Sequence, residues 1–288
     1  MSEFHKMLIV GFDGLDYEKI QKYECENLQL EDFGKLDLEG MPLRTTSLWA
    51  SLITGKKPEE HGVDSMLTFS GEKVRKVDKY VSKFFNIFGM SAIHLRKCFY
   101  YYLFDSGVIT MDRRFLKVPS IFEKVSDSRV LECPGYTEYP YIAGQMGVTK
   151  VYRERAPISR ERAFRDMRAE LNYRKKLLFE GIGEHKLLMQ HFHYPDWFQH
   201  LFPKGKRDRE LYEDMDELAG KILEKVDRDT LVVFCSDHGL EDGGHRDQAF
   251  YSVNIQVGEN VRITNLVEEC LAKLDYQEKE ELTEEVEV

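Results

Sequence analysis

The chain has 288 residues, 42% hydrophobic and 32% charged. That globular balance, with no run of about 18 apolar residues, excludes a disulfide-stapled miniprotein and a membrane-spanning segment. Its 41 Lys and Arg against 51 Asp and Glu give a net charge of -10, which repels phosphate backbones and argues against a long nucleic-acid partner. Five cysteines, Cys25, Cys98, Cys133, Cys235 and Cys270, include no CxxC pair, as expected of reduced thiols rather than of a disulfide framework or a thiolate zinc site. The N-terminus, MSEFHKMLIVGFDG, lacks the long apolar segment of a secretory signal. A soluble, cytoplasmic protein without a membrane partner is expected.

Residues 7–12 (MLIVGF) are a continuous apolar run with Asp13 at its carboxyl end, as a central strand buried on both faces requires. Residues 45–53 carry helical spacing after a hydroxyl residue able to cap, and Gly55 and Pro58 close the helix, so Thr45 sits at a helix N-terminus. Residues 66–118, with the aromatic and basic stretch VSKFFNIFGMSAIHLRKCFYYYLF, have no place in a strand–helix ladder. They read as an inserted cap, with a pair of core helices as the alternative. Residues 128–132 predict a strand, 159–179 a charged surface helix, 186–192 a buried strand, 209–226 a helix and 230–235 (TLVVFC) a third central strand. Residues 251–257 follow as an antiparallel edge, 263–274 as a closing helix, and 276–288 as an acidic tail. The alternation predicts a single α/β domain over residues 1–275, with a mostly parallel sheet covered on both faces.

Seven chemistry-bearing side chains fall where such a sheet places its carboxyl-end loops: Asp13, Thr45, Asp196, His200, Asp237, His238 and His245. Each alone has a bland reading, as a turn, a cap or a surface accident. SDHG directly after a buried strand, with GGH seven residues on, is stronger, because it offers an acid and two imidazoles near one strand end. Three histidines with three carboxylates suit zinc, manganese or iron better than magnesium or calcium, which prefer more oxygen ligands.

The ordered set GFDG, T-x-S-x-W-x-S-x-x-TG-x-x-P-x-x-HG, PDWFQH, SDHG and GGH resembles the alkaline phosphatase superfamily, and within it the type I phosphodiesterase/nucleotide pyrophosphatase branch. VPSIFEKV and ECPGYTEYP also resemble the branch's connecting helix and following strand. The resemblance implies an alkaline-phosphatase-like three-layer αβα sandwich and two divalent metal ions, zinc in both places with manganese or iron as alternatives. Asp196, His200 and His245 would hold the first ion, and Asp13, Asp237 and His238 the second. Thr45 would be a nucleophile bound to the second ion, passing through a phosphothreonine intermediate. The implied activity is hydrolysis of a phosphodiester or pyrophosphate bond in a small phosphoester or nucleotide. A phosphomonoesterase or phosphonate hydrolase, and a non-catalytic metal or nucleotide binder, are the rival readings. The chain departs from the branch at Ser47, where Pro is usual, and at Leu48, where the nucleotide pyrophosphatases have an Asn that donates to a phosphoryl oxygen. Thr46 and Ser47 are competing hydroxyls, read as caps or core-facing residues.

Among the remaining residues, His61 reads as fixing a loop, and His191 and His193 either as supports of a ligand or as satisfied core imidazoles. His5, His94 and His185 read as surface or packing residues. Arg44 and Arg246 are candidates to contact a substrate phosphate. Trp49 reads as packing, whereas Trp197 and Phe198 lie near enough to the expected pocket to stack on a base or sugar.

Overall fold

A computed structural model of the chain describes residues 4–87, 108–137, 159–203, 205 and 207–276. In chain order the elements used below are β1 (Lys6–Phe12), α1 (Tyr17–Lys22), β2 (Asp32–Lys35), α2 (Thr45–Thr54), α3 (Pro58–His61), β3 (Leu67–Phe69), α4 (Glu72–Ile87), β4 (Val108–Thr110), α5 (Ile121–Lys124), β5 (Ser128–Glu132) and α6 (Arg160–Gly181). They continue with β6 (Leu187–Phe192), α7 (Tyr194–Leu201), α8 (Asp208–Lys225), β7 (Thr230–Cys235), β8 (Gly239–Glu241), β9 (Gly244–Arg246), β10 (Phe250–Val253) and α9 (Leu266–Leu271).

The three apolar runs become the middle of one six-stranded sheet, in the order β2-β10-β7-β1-β6-β5. β1 lies between β7 and β6 and is parallel to both, and β5 extends the parallel set. Alternate residues of β1 feed two separate cores, as the two-residue period of a strand dictates. Leu8, Val10 and Phe12 pack with Met167 and Leu171 of α6, Phe198 of α7, and Leu211 and Met215 of α8. Met7 and Ile9 pack with Leu48, Trp49 and Leu52 of α2, Phe122 of α5 and Leu266 of α9. The result is helices, sheet, helices: the three-layer αβα arrangement.

Gly11 has a specific packing role, because a Cβ there would lie 2.4 Å from Trp49 Cη2. The bare backbone of β1 is what admits the Trp49 ring, and the ring ties α2 to the strand that ends at Asp13.

Three expectations need correction. The antiparallel strand predicted at residues 251–257 is β10, but it is internal, since β2 pairs with its outer side. β2 was not predicted: DFGK is only half buried, with a glycine and two charges, so it shows no apolar pattern. The closing helix is α9, shorter at both ends than the expected 263–274. Within the segment expected to form a cap, β3 and β4 pair with each other in a separate two-stranded sheet, while residues 88–107 lie outside the described residues. The acidic tail from residue 277 onward and Cys98 lie outside them too. Cys25, Cys133, Cys235 and Cys270 are buried and free.

Candidate active site

All seven predicted residues come from the carboxyl end of the parallel strands or from segments folded over it. Asp13 follows β1, Asp237 and His238 follow β7, and Asp196 and His200 lie one helical turn apart on α7, directly after β6. Gly14 adopts φ +72, and a Cβ there would lie 3.2 Å from both Cα and Cβ of Asp196. A side chain at position 14 would therefore push the β1 loop away from α7 and separate Asp13 from Asp196. His245 enters on the short β8–β9 hairpin and stacks on His238, with ring centroids 3.8 Å apart.

Thr45 is the first residue of α2. The cap position belongs to Arg44, whose side chain makes no capping bond, so the Thr45 hydroxyl is not spent on the helix end as a capping role would require. Its Oγ1 lies 3.4 Å from His238 Nε2. Thr46 and Ser47 are buried, and Leu48 is wholly buried in the core shared with α9. Of the three neighbouring hydroxyls, Thr45 is the one the structure sets beside the histidine and only partly buries. It also stands at the positive end of the helix dipole, next to the first-turn amide of Thr46.

Two donor groups are assembled. In one, Asp196 Oδ1 is 3.2 Å from His200 Nε2 and 3.5 Å from His245 Nε2, and the two imidazole nitrogens are 3.4 Å apart. In the other, His238 Nε2 is 3.4 Å from Asp13 Oδ1 and 3.4 Å from Asp237 Oδ2. Donors held at roughly 2.0–2.1 Å around a tetrahedral zinc ion stand about 3.3–3.4 Å from one another, close to the 3.2–3.5 Å separations given above. The imidazoles are oriented from behind: His238 Nδ1 faces Gly239 O at 3.2 Å and His245 Nδ1 faces Leu43 O at 3.3 Å. That leaves each Nε2 for the site.

The electrostatics point the same way. Asp13 Oδ1, Asp196 Oδ1 and Asp237 Oδ2 are buried and have no hydrogen-bond partner among the described residues. Burial, followed by the charges of Asp13 and Asp196, pushes the Asp237 carboxyl well above the usual carboxylate range. Burial also opposes ionisation of Asp13, but hydrogen bonds from His191 and His193 outweigh it and hold that carboxyl well below the range. Burial lowers His238, whereas at His245 the facing Asp196 carboxylate overcomes burial and pushes it up to about 9. Three acids crowded in a dry site cannot all be ionised without nearby positive charge. Bare carboxylate oxygens beside Nε2 atoms are a donor set that fits divalent cations.

A third cluster sits deeper. Asp13 Oδ2 accepts from His193 Nδ1 at 3.0 Å and lies 3.5 Å from His191 Nε2. His193 Nε2 lies 3.3 Å from Glu132 Oε1 at the end of β5, and Arg174 Nη1 of α6 lies 2.9 Å from Glu132 Oε2. Burial opposes protonation of His193, but Glu132 and Asp13 outweigh it and push it up to about 9. Burial and the neighbouring His193 pull His191 down to about 4. Sequence reasoning singled out the two histidines but missed Glu132 and Arg174. The one local signal was an acid closing a strand beside ECPG.

Other candidates fall elsewhere. Arg246 is bound to Asp16, Glu18 and Glu241, so its guanidinium braces the hairpin and is committed away from a phosphate. Arg44 Nη1 donates to Asp64 O at 2.8 Å. His61 is buried between Ser51 and the Val63 amide and fixes a loop, as expected. Trp197 stacks on His193 and Phe198 is fully buried, which removes both as stacking platforms for a base.

The sequence model describing type I phosphodiesterase / nucleotide pyrophosphatase matches residues 107–271. No curated protein sequence matches the chain. Among solved structures, murine ectonucleotide pyrophosphatase / phosphodiesterase 5 is similar at 14% identity and a TM-score of 0.42, over 82% of this chain. The chain spans 57% of that protein's length.

Proposed function

Because the chain belongs to the type I phosphodiesterase/nucleotide pyrophosphatase family of the alkaline phosphatase superfamily, we propose that it is a metal-dependent phosphoric ester hydrolase. Its substrate would be a phosphodiester or pyrophosphate bond in a small molecule. The observation that carries this reading is the pair of donor groups, with imidazole and carboxylate atoms 3.2–3.5 Å apart, beside the one partly exposed hydroxyl at the start of α2.

Asp196, His200 and His245 would hold one cation, and Asp13, Asp237 and His238, with Thr45, the other. Zinc fits these mixed nitrogen and oxygen donors, with manganese and iron as alternatives. Bound there, the ions would supply Lewis acidity that lowers the pKa of the Thr45 hydroxyl and offsets charge on the phosphoryl oxygens. The chain's own part is to present Thr45 in line with the scissile bond. The Thr45 oxygen bonds to phosphorus as the bond to the leaving alcohol or phosphate breaks, giving a phosphothreonine; water then cleaves it and restores the hydroxyl. Two displacements give net retention at phosphorus. The α2 dipole and the first-turn amides, Thr46 among them, favour the developing negative charge.

Leu48 bears on the substrate. Its side chain is sealed in the core and gives no donor where the nucleotide pyrophosphatases have an amide. That supports small diesters over nucleotide pyrophosphates. The four buried free thiols support a reducing, cytoplasmic setting.

Hydrolysis of bis-p-nitrophenyl phosphate and p-nitrophenyl phosphate, measured in the metal-loaded enzyme, is the test. The diester is expected to be preferred, and Thr45→Ala is expected to lose about 10³-fold or more in turnover while retaining its metal content. A preference for the monoester, or full turnover by Thr45→Ala, would overturn the proposal.

A further inference from the structure

We infer that Glu132 is a positioning residue for the second cation site, acting through His193 on Asp13; the inference rests on the metal-site assignment above. The three residues lie on or directly after β5, β6 and β1, which are neighbours in the sheet. A β-bulge between Val130 and Glu132 sets Glu132 opposite Gln190, and bulges commonly re-aim a side chain next to a site.

The chain of contacts is closed at both ends. Arg174 Nε meets Glu170 Oε1 at 2.7 Å and its Nη1 meets Glu132 Oε2 at 2.9 Å, while Glu132 Oε1 faces His193 Nε2 at 3.3 Å. His193 Nδ1 donates to Asp13 Oδ2 at 3.0 Å. Asp13, His193, Glu132 and Arg174 are all buried, and burying so many ionisable groups is costly unless each is paired.

The consequence falls on Asp13. The terminal torsion of an aspartate is broad, so its carboxylate would otherwise pivot. Pinning Oδ2 on His193 leaves Oδ1 facing His238 Nε2 at 3.4 Å. Glu132 fixes the imidazole that does the pinning, and Arg174 fixes Glu132. The 3.0 Å separation of His193 Nδ1 and Asp13 Oδ2 is a hydrogen-bond distance, below the roughly 3.3–3.4 Å spacing of zinc ligands. The arrangement therefore reads as a brace for Asp13, although Asp13, His191 and His193 also lie close enough to hold an ion.

Zinc affinity in the full chain, read by competition with a chelating fluorophore, tests this without any use of turnover. An Asp196→Asn background leaves the site at Asp13, and an Asp237→Asn background leaves the other. Glu132→Gln is expected to weaken zinc about 10- to 100-fold in the first background and by less than about twofold in the second. His193→Gln is expected to match it, and it carries the comparison if Glu132→Gln fails to fold. Unchanged affinity, or equal weakening in both backgrounds, overturns the inference alone. Three zinc ions per wild-type chain, one of them lost in His191→Ala, would also overturn it by making His193 a ligand. A wild-type chain that binds no zinc overturns the metal-site assignment first, and the inference with it.

Discussion

Gly11→Ala tests how the core is tied to the site. The new Cβ would sit 2.4, 2.8 and 3.0 Å from Cη2, Cζ3 and Cζ2 of Trp49, against about 3.5–4.0 Å for carbons at ease. The indole must retreat by roughly 1 Å, yet Trp49 is 1% exposed and enclosed by the core. Overpacking of this kind costs about 1–3 kcal/mol, lessened slightly by the entropy an alanine removes from the unfolded chain. The colliding atoms all belong to the outer ring of the indole, which Phe lacks. Trp49→Phe alone is expected to cost about 1–2 kcal/mol through lost burial and a small cavity. In the double variant the phenyl ring frees the space that the alanine needs, so the two costs should fall short of their sum by about 1 kcal/mol or more. Urea unfolding of the four proteins at constant pH and zinc concentration measures the cycle. Additivity within about 0.3 kcal/mol would refute the packing account.

Three further outcomes are expected. Adding zinc to chelator-treated protein at about 100 times its Kd contributes roughly 2.7 kcal/mol per site, or a rise in Tm of about 5–10 °C per ion for a chain of this size, read by calorimetry; an unchanged Tm argues against both sites. His61 accepts from the Val63 amide at Nδ1, and burial pulls its pKa down to about 4 from 6.5. The unfolded chain then takes up a proton that the folded chain refuses, so stability is full above pH 6.5 and falls by about 3 kcal/mol as pH drops toward 4. His61→Gln should remove that part of the slope in urea titrations. Arg246→Met strips the fork from Asp16, which has no solvent exposure, and is expected to cost about 3 kcal/mol in urea unfolding; a loss under about 0.5 kcal/mol would show that Asp16 manages without it.

What was readable in the sequence follows the physics of burial. β1, β6 and β7 are covered on both faces, so their runs are mostly apolar, and the segments that follow them, with Asp13, Asp196 and Asp237, stood out. β2 was invisible because it is a half-buried strand that, among the described residues, pairs with β10 alone. Thr45 was placed at the right helix end but as a possible cap, a role that spacing alone cannot separate from Arg44's. Glu132 and Arg174 meet across more than forty residues, and no local period records such a pairing. Arg246 looked free for the same reason, since its partners Asp16 and Glu18 lie at the far end of the chain.

The hairpin that carries His245 has a consequence of its own. Among the described residues β8 and β9 pair only with each other, across a two-residue turn in which Asp242 and Gly243 both have positive φ. An isolated two-stranded ribbon is marginal in water, and here Arg246, on Asp16 and Glu18, and Lys19, whose Nζ donates to Leu240 O at 2.7 Å, tether it to α1. Asp13 and Asp237 closely follow central strands of the main sheet, whereas His245, one of the three donors in the group with Asp196 and His200, rides on this ribbon. If the two donor groups hold the proposed cations, the one beside His245 is expected to escape first under a slow chelator and to set the pace at which activity is lost.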